Sequence, residues 1–104
     1  MGSDGGNSGE FYTPRAVIKA MVETVNPQVG ETIYDGAVGS AGFIVEAFEF
    51  MTTPEKKEKF SASDWEKIQT DTFYGQEKTS LGYVMGMMNM ILHGIESPNV
   101  YKGN

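Results

Sequence analysis

The chain has 104 residues, 39% hydrophobic and 21% charged, enough for one modest core and too ordinary in composition for a disordered or collagen-like protein. The 14 Asp and Glu against 8 Lys and Arg give a formal net charge of -6, a sign that repels phosphate backbones and argues against nucleic acid binding by this piece alone. With no cysteine, disulfides and thiolate zinc sites are excluded. No apolar run approaches the roughly 18 residues of a membrane span, so no membrane partner is expected and a cytoplasmic protein is the default.

Residues 1–8, MGSDGGNS, read as a flexible or non-native lead-in, leaving 9–104 as one domain. Thr13 as N-cap and Pro14 in the first turn open a helix over 14–25, with Val17, Ile18, Met21, Val22 and Val25 on one face. Asn26, Pro27 and Gly30 stop it, and ETIYD reads as a strand ending at Asp35. DGAVGSAGF, residues 35–43, is then a strand-to-helix turn. The next helix buries Phe43, Ile44, Ala47, Phe48 and Met51 and turns Glu46 and Glu49 outwards.

Residues 52–71 are rich in Lys, Glu, Ser and Thr and form a connection. Within it, Ser63 and Glu66 have capping-box spacing, predicting a short helix with Trp65 and Ile68 inwards. Thr72 to Tyr74 read as a second strand ended by Gly75. The stretch TSLGYVMGMMNMILHG is a core helix with its apolar face at positions 81, 84, 85, 88, 91 and 92, capped by Gly94. The methionines at 85–90 are packing residues, and His93 interacts with the helix dipole. NVY is a third strand, and the chain stops soon after it, as a truncated fragment would.

Strands alternating with helices imply right-handed crossovers and a parallel, Rossmann-like α/β sheet with flanking helices. Ligands of such sheets bind beyond the carboxyl ends of the strands, where Asp35, the glycine turn, Glu77 and Asn104 fall.

AVGSAG, residues 37–42, is a dinucleotide fingerprint with its first glycine replaced by alanine. A pyrophosphate against this turn would be repelled by Asp35, and Glu77 lies well beyond the roughly 20 residues usual for a ribose-binding acid. S-adenosylmethionine fits better, because it has an adenosine, no phosphate, and a sulfonium and an ammonium that a carboxylate attracts. On this reading the glycines admit the methionine part and Glu77 accepts the ribose hydroxyls. A non-catalytic module that binds an NAD-like nucleotide, or that serves protein interaction, is the alternative. Asp35 on its own is also a candidate N-cap for the following helix, and Phe11 and Tyr12 could be core residues or adenine-stacking ones.

GEFYTPR (9–15), DGAVGSAGF (35–43), YGQE (74–77) and NMILHG (89–94) together resemble the modification subunit of type I restriction enzymes, a family of N6-adenine DNA methyltransferases. The resemblance implies that the FYTP segment and its neighbours (Glu10, Phe11, Tyr12, Thr13, Pro14, Arg15) wrap S-adenosylmethionine. It further implies that Asp35, Gly39, Ser40, Ala41 and Gly42 hold the methionine end, and that Glu77 takes the ribose. Asn104 joins these cofactor candidates by position, and no metal is implied. Two positions depart from the family pattern: Gly36 stands where proline is usual, and Ala41, where glycine is common, adds a methyl near the ligand. The N-P-P-[FY] element that grips the flipped adenine in this family does not occur in the chain. The fragment is therefore expected to be inactive alone, acting on DNA through the rest of a longer protein partnered by specificity and restriction subunits.

Overall fold

The computed structural model describes residues 13–36, 38, 39 and 41–103. The lead-in, Glu10, Phe11, Tyr12, Ser40 and Asn104 lie outside the described residues. In chain order the elements are α1 (Arg15–Val25), β1 (Ile33–Asp35), α2 (Gly42–Met51), α3 (Pro54–Lys57), α4 (Ala62–Thr70), β2 (Phe73–Glu77), α5 (Ser80–Leu92) and β3 (Asn99–Lys102).

The strands form a parallel sheet in the order β1-β2-β3, with Asp35 beside Gly75 and Glu77 beside Lys102. Each crossover steps the same way across the sheet, so right-handedness puts both connecting helices, α2 and α5, on one face. Phe73, Gly75 and Glu77 of β2 point to that buried side, where Ile18, Ile44, Phe48, Ile68, Met90 and Ile95 complete the core. Tyr34 and Tyr101 project exposed from the opposite face.

α1 starts one residue later than expected because Pro14, not Thr13, is its N-cap; the Pro14 carbonyl accepts from the amides of Val17 and Ile18, and no side chain among the described residues caps the end. Asn26 closes it in the left-handed conformation, φ 53°. α2 buries Ile44, Ala47, Phe48 and Met51 of its expected stripe and leaves Phe43 half-buried, but Glu46 is buried as well instead of facing outwards. α1 packs across α2, and Arg15 reaches over to Glu46 at 3.3 Å and Glu49 at 3.8 Å. Arg15 is largely exposed, so these pairs contribute little to stability.

The connection contains α3, which the sequence did not announce, and caps α4 earlier than expected. Ser61 Oγ accepts from the Asp64 amide at 3.0 Å, while Asp64 Oδ2 accepts from the Ser61 amide at 3.0 Å. The capping box is thus Ser61 with Asp64, not Ser63 with Glu66; aspartate reaches back as glutamate would, and helix formation begins two residues sooner. Ser61→Ala is expected to cost about 1 kcal/mol of stability, and Ser63→Ala close to none, in urea denaturation. Equal costs would mean that the box does not govern this helix.

β2 also differs from expectation, running through Gly75 to Glu77 instead of ending at the glycine. α5 presents the face opposite to the one its periodicity indicated. Leu81, Val84, Met85, Met88, Ile91 and Leu92 are all exposed, Leu92 to 80%, while Gly86 and Met90 are buried. The helix is apolar on two sides, and the glycine-bearing side is the one whose backbone can come close to its neighbour. Its C-terminal end is as expected. His93 is the C-cap, Gly94 is left-handed at φ 105°, and the Ile95 amide returns to the Met90 carbonyl.

Candidate functional site

The turn after β1 is built by close approach. The Val38 amide donates to the Gln76 carbonyl at 3.1 Å, drawing the turn across the end of β2. There Val38 sits over Gly75, where a Cβ would lie 2.3 Å from Val38 Cγ2 and 3.1 Å from the Asp35 carbonyl oxygen. From above, Gly86 of α5 approaches so closely that its Cβ would stand 2.7 Å from the Gly39 carbonyl oxygen. The Val38–Gly39 step is therefore held between two glycines from different elements. Gly39 is left-handed, φ 55°, and no atom of the described residues lies within 4 Å of the position a Cβ would take there.

Ala41 ends the turn in the left-handed conformation, φ 70°, and caps α2, its carbonyl accepting from the Val45 amide at 2.9 Å. Asp35, considered as a cap from sequence, lies too early to serve. Ala41 is also completely buried, so its methyl belongs to the core and not to the ligand side. The left-handed geometry explains why glycine suits this position.

Glu77 closes β2 directly beneath the turn. Its Oε1 accepts from the Gly39 amide at 2.8 Å, and its Oε2 accepts from the Thr79 amide at 3.0 Å and the Thr79 hydroxyl at 2.7 Å. The carboxylate is therefore not free, as the sequence led us to expect, but already tied to the glycine turn. The amide and hydroxyl of Thr79, then the Gly39 amide, hold the Glu77 carboxyl below the ordinary glutamate range; burial opposes them and Lys78 assists. An ionised carboxylate has about four lone-pair sites, so with three donors bound Oε1 keeps one for a further hydroxyl.

The other candidates fall into two groups. Asp35 and Gly42 lie at the two ends of the turn, Asp35 half-buried at the end of β1. Thr13, Pro14 and Arg15 stand at the start of α1, where Arg15 is engaged with the acids of α2. A groove of about 300 Å³ runs beside β1, lined by apolar groups such as Met21, Val25, Tyr34 and Phe43 together with Asp35. Neither Glu77 nor Gly39 lines it. Thr79, Gly75 and Gly86 were missed from sequence. Thr79, three residues before Gly82 at the start of an apolar run, carried an N-cap signal that could have found it.

Two acids at neighbouring strand ends, Asp35 and Glu77, and the left-handed Gly39 of the turn thus meet at the carboxyl ends of the strands, beneath the start of the flanking helices. This is part of a Rossmann-like, S-adenosylmethionine-dependent methyltransferase fold. The chain belongs to the N-6 DNA methylase family, whose model matches residues 2–104.

The chain is 42% identical to the methylase subunit of the type I restriction enzyme EcoEI from Escherichia coli, over 89% of this chain and 18% of that protein. It is 34% identical to the methylase subunit of MjaIX from Methanocaldococcus jannaschii, over 89% of this chain and 15% of that protein. Among solved structures, a modification subunit of a putative type I restriction enzyme from Vibrio vulnificus superposes with a TM-score of 0.74 at 44% identity, covering 92% of this chain and 19% of that one. The EcoKI M protein superposes with a TM-score of 0.83 at 27% identity, covering 90% and 21%. The chain thus spans about a fifth or less of the relatives it matches. Among the described residues, no helix is long and apolar enough to cross a membrane.

Proposed function

We propose that this chain, residues 9–104, is the S-adenosylmethionine-binding part of an N6-adenine DNA methyltransferase of a type I restriction-modification system, working in the cytoplasm. The observation that carries the reading is the 2.8 Å bond from the Gly39 amide to Glu77, which joins the turn and the ribose acid in one site. The cofactor, when bound, supplies an electrophilic methyl group on a sulfonium. Glu77 accepts a ribose hydroxyl at Oε1, Asp35 attracts the cationic methionine end, and Gly39, Ser40 and Gly42 let that end lie against the backbone, with Ala41 supporting the turn from the core. The segment Glu10 to Arg15 and Asn104 complete the set of residues assigned to the cofactor.

The sequence holds no N-P-P-[FY] element to grip a flipped adenine. The chain alone therefore methylates no DNA, and in the longer protein DNA and the specificity and restriction subunits meet the parts outside it. Titration calorimetry with S-adenosylmethionine, S-adenosylhomocysteine and NAD, each alone, tests the reading. Both sulfur ligands are expected to bind more tightly than NAD; the reverse order would favour the nucleotide-module alternative. Transfer of labelled methyl groups to DNA by the purified chain would overturn its assigned inactivity.

A further inference from the structure

We propose that Thr79 is a positioning residue of this site, fixing the Glu77 carboxylate so that Oε1 alone faces the ligand; the inference rests on the cofactor reading above. The direction of the Thr79 proton follows from its neighbours. The Gly82 amide donates to Thr79 Oγ1 at 3.0 Å, and an amide can only donate, so a lone pair of the hydroxyl meets it. The hydroxyl proton is left for Glu77 Oε2, at 2.7 Å. The Thr79 amide donates to the same oxygen at 3.0 Å. Oε2 is thereby saturated and turned towards the start of α5, while Oε1, which among the described residues holds the Gly39 amide alone, is the oxygen left to accept a ligand hydroxyl.

The same side chain is the N-cap of α5. Two roles, capping the helix and holding the carboxylate, are therefore combined in one hydroxyl and can be separated by substitution. Aspartate at this position keeps an acceptor for the Gly82 amide, since it is a strong N-cap, but offers Glu77 no proton and adds a like charge. Serine keeps both roles, and valine keeps neither.

The charged groups around Glu77 are Lys78 beside it, Lys102 opposite on β3 and Asp35 at the end of β1; positions 36–41 and α5 carry none. These substitutions leave all of them in place.

Ligand affinity is read by calorimetry with S-adenosylhomocysteine, helix content by circular dichroism, and the Glu77 midpoint by carbon-13 NMR titration of its side-chain carboxyl. We expect Thr79→Ser to bind within about twofold of the parent. Thr79→Asp should bind at least tenfold more weakly with helix content unchanged. The Glu77 midpoint should rise in Thr79→Val and Thr79→Asp and stay put in Thr79→Ser. Parent-like affinity in Thr79→Asp, or an unmoved midpoint in Thr79→Val, would overturn the positioning role while leaving the cofactor reading intact. If the parent binds no sulfur ligand, it is the cofactor reading that fails, and the hold of Thr79 on Glu77 is decided by the midpoint alone.

Discussion

Glu77→Ala is expected to weaken S-adenosylmethionine binding at least tenfold and also to lower the melting temperature. The first effect follows from the loss of an ionised acceptor, since a hydrogen bond to a charged group contributes about 1.5–3 kcal/mol and roughly 1.4 kcal/mol is a factor of ten. The second follows from what the carboxylate does without ligand. It satisfies the Gly39 amide, the Thr79 amide and the Thr79 hydroxyl, and alanine leaves these donors without it at a largely buried position. A loss of about 1 kcal/mol lowers the melting temperature of a domain this size by roughly 4–8 °C, so a fall of several degrees should be seen. Glu77→Gln should fall between parent and alanine. One of its two terminal atoms is a donor, which must face either Gly39 or the Thr79 pair, and both already present hydrogens.

The pH dependence has a defined sign. The folded carboxyl titrates lower than in the unfolded chain, so its contribution is complete above the unfolded value and is lost as pH falls through the folded one. The stability gap between parent and Glu77→Ala, measured by urea denaturation, should therefore be widest near neutrality and narrow below the ordinary glutamate range. A gap that does not narrow in acid would show that the carboxylate's charge is not what holds the turn.

Much of the architecture was legible because its signals are local. The 3.6-residue spacing of Ile18 and Val22, the left-handed stop at Asn26, the short apolar run ending at Asp35 and the Gly94 stop each follow from bonds within a few residues of chain. Glu77 and the glycine turn could be paired from sequence, since both fall at strand ends. What escaped was set by contacts between distant segments. Leu81, Val84, Met85 and Met88 make as good an apolar stripe as the side of α5 that is buried, and only the approach of Gly86 to the Gly39 carbonyl decides between them. Glu46 reads as a surface residue until α1 is laid across it. Gly75 reads as a strand end because glycine usually weakens a strand. Its reason for being there, the space taken by Val38, lies 37 residues away in the chain, where periodicity carries no record of it.

That space leads to a second large effect: Gly75→Ala should destabilise the fold and loosen the turn together. The new methyl would lie 2.3 Å from Val38 Cγ2, a separation that packed carbons do not tolerate, with the Asp35 carbonyl oxygen at 3.1 Å and Ile44 Cδ1 at 3.4 Å closing the other routes. Val38 is buried and short, so it cannot swing clear, and the turn itself must lift off β2. Overpacking of this kind costs about 1–3 kcal/mol. Lifting the turn also stretches the Val38 bond to Gln76 and the Gly39 bond to Glu77, so affinity for S-adenosylhomocysteine should fall along with stability.

Gly86→Ala should act from the other side. Alanine is favoured over glycine by about 1 kcal/mol inside a helix, yet its methyl would meet the Gly39 carbonyl oxygen at 2.7 Å, and backbone cannot turn aside as a side chain does. A net loss of stability in spite of the better helix former is the expected outcome. The two substitutions differ in whether they can be rescued. Val38→Ala removes the methyl that obstructs position 75, so the double variant Val38→Ala with Gly75→Ala should be more stable than the summed single effects predict, by more than the roughly 0.3–0.5 kcal/mol within which independent sites add. Val38→Ala should rescue Gly86→Ala less, because there it relieves only the 3.2 Å contact with Val38 Cγ1 and leaves the nearer Gly39 carbonyl oxygen at 2.7 Å. Strict additivity of Val38→Ala with Gly75→Ala in urea denaturation would show that the turn is not seated on that glycine, and the coupling of turn geometry to ligand affinity would lose its basis.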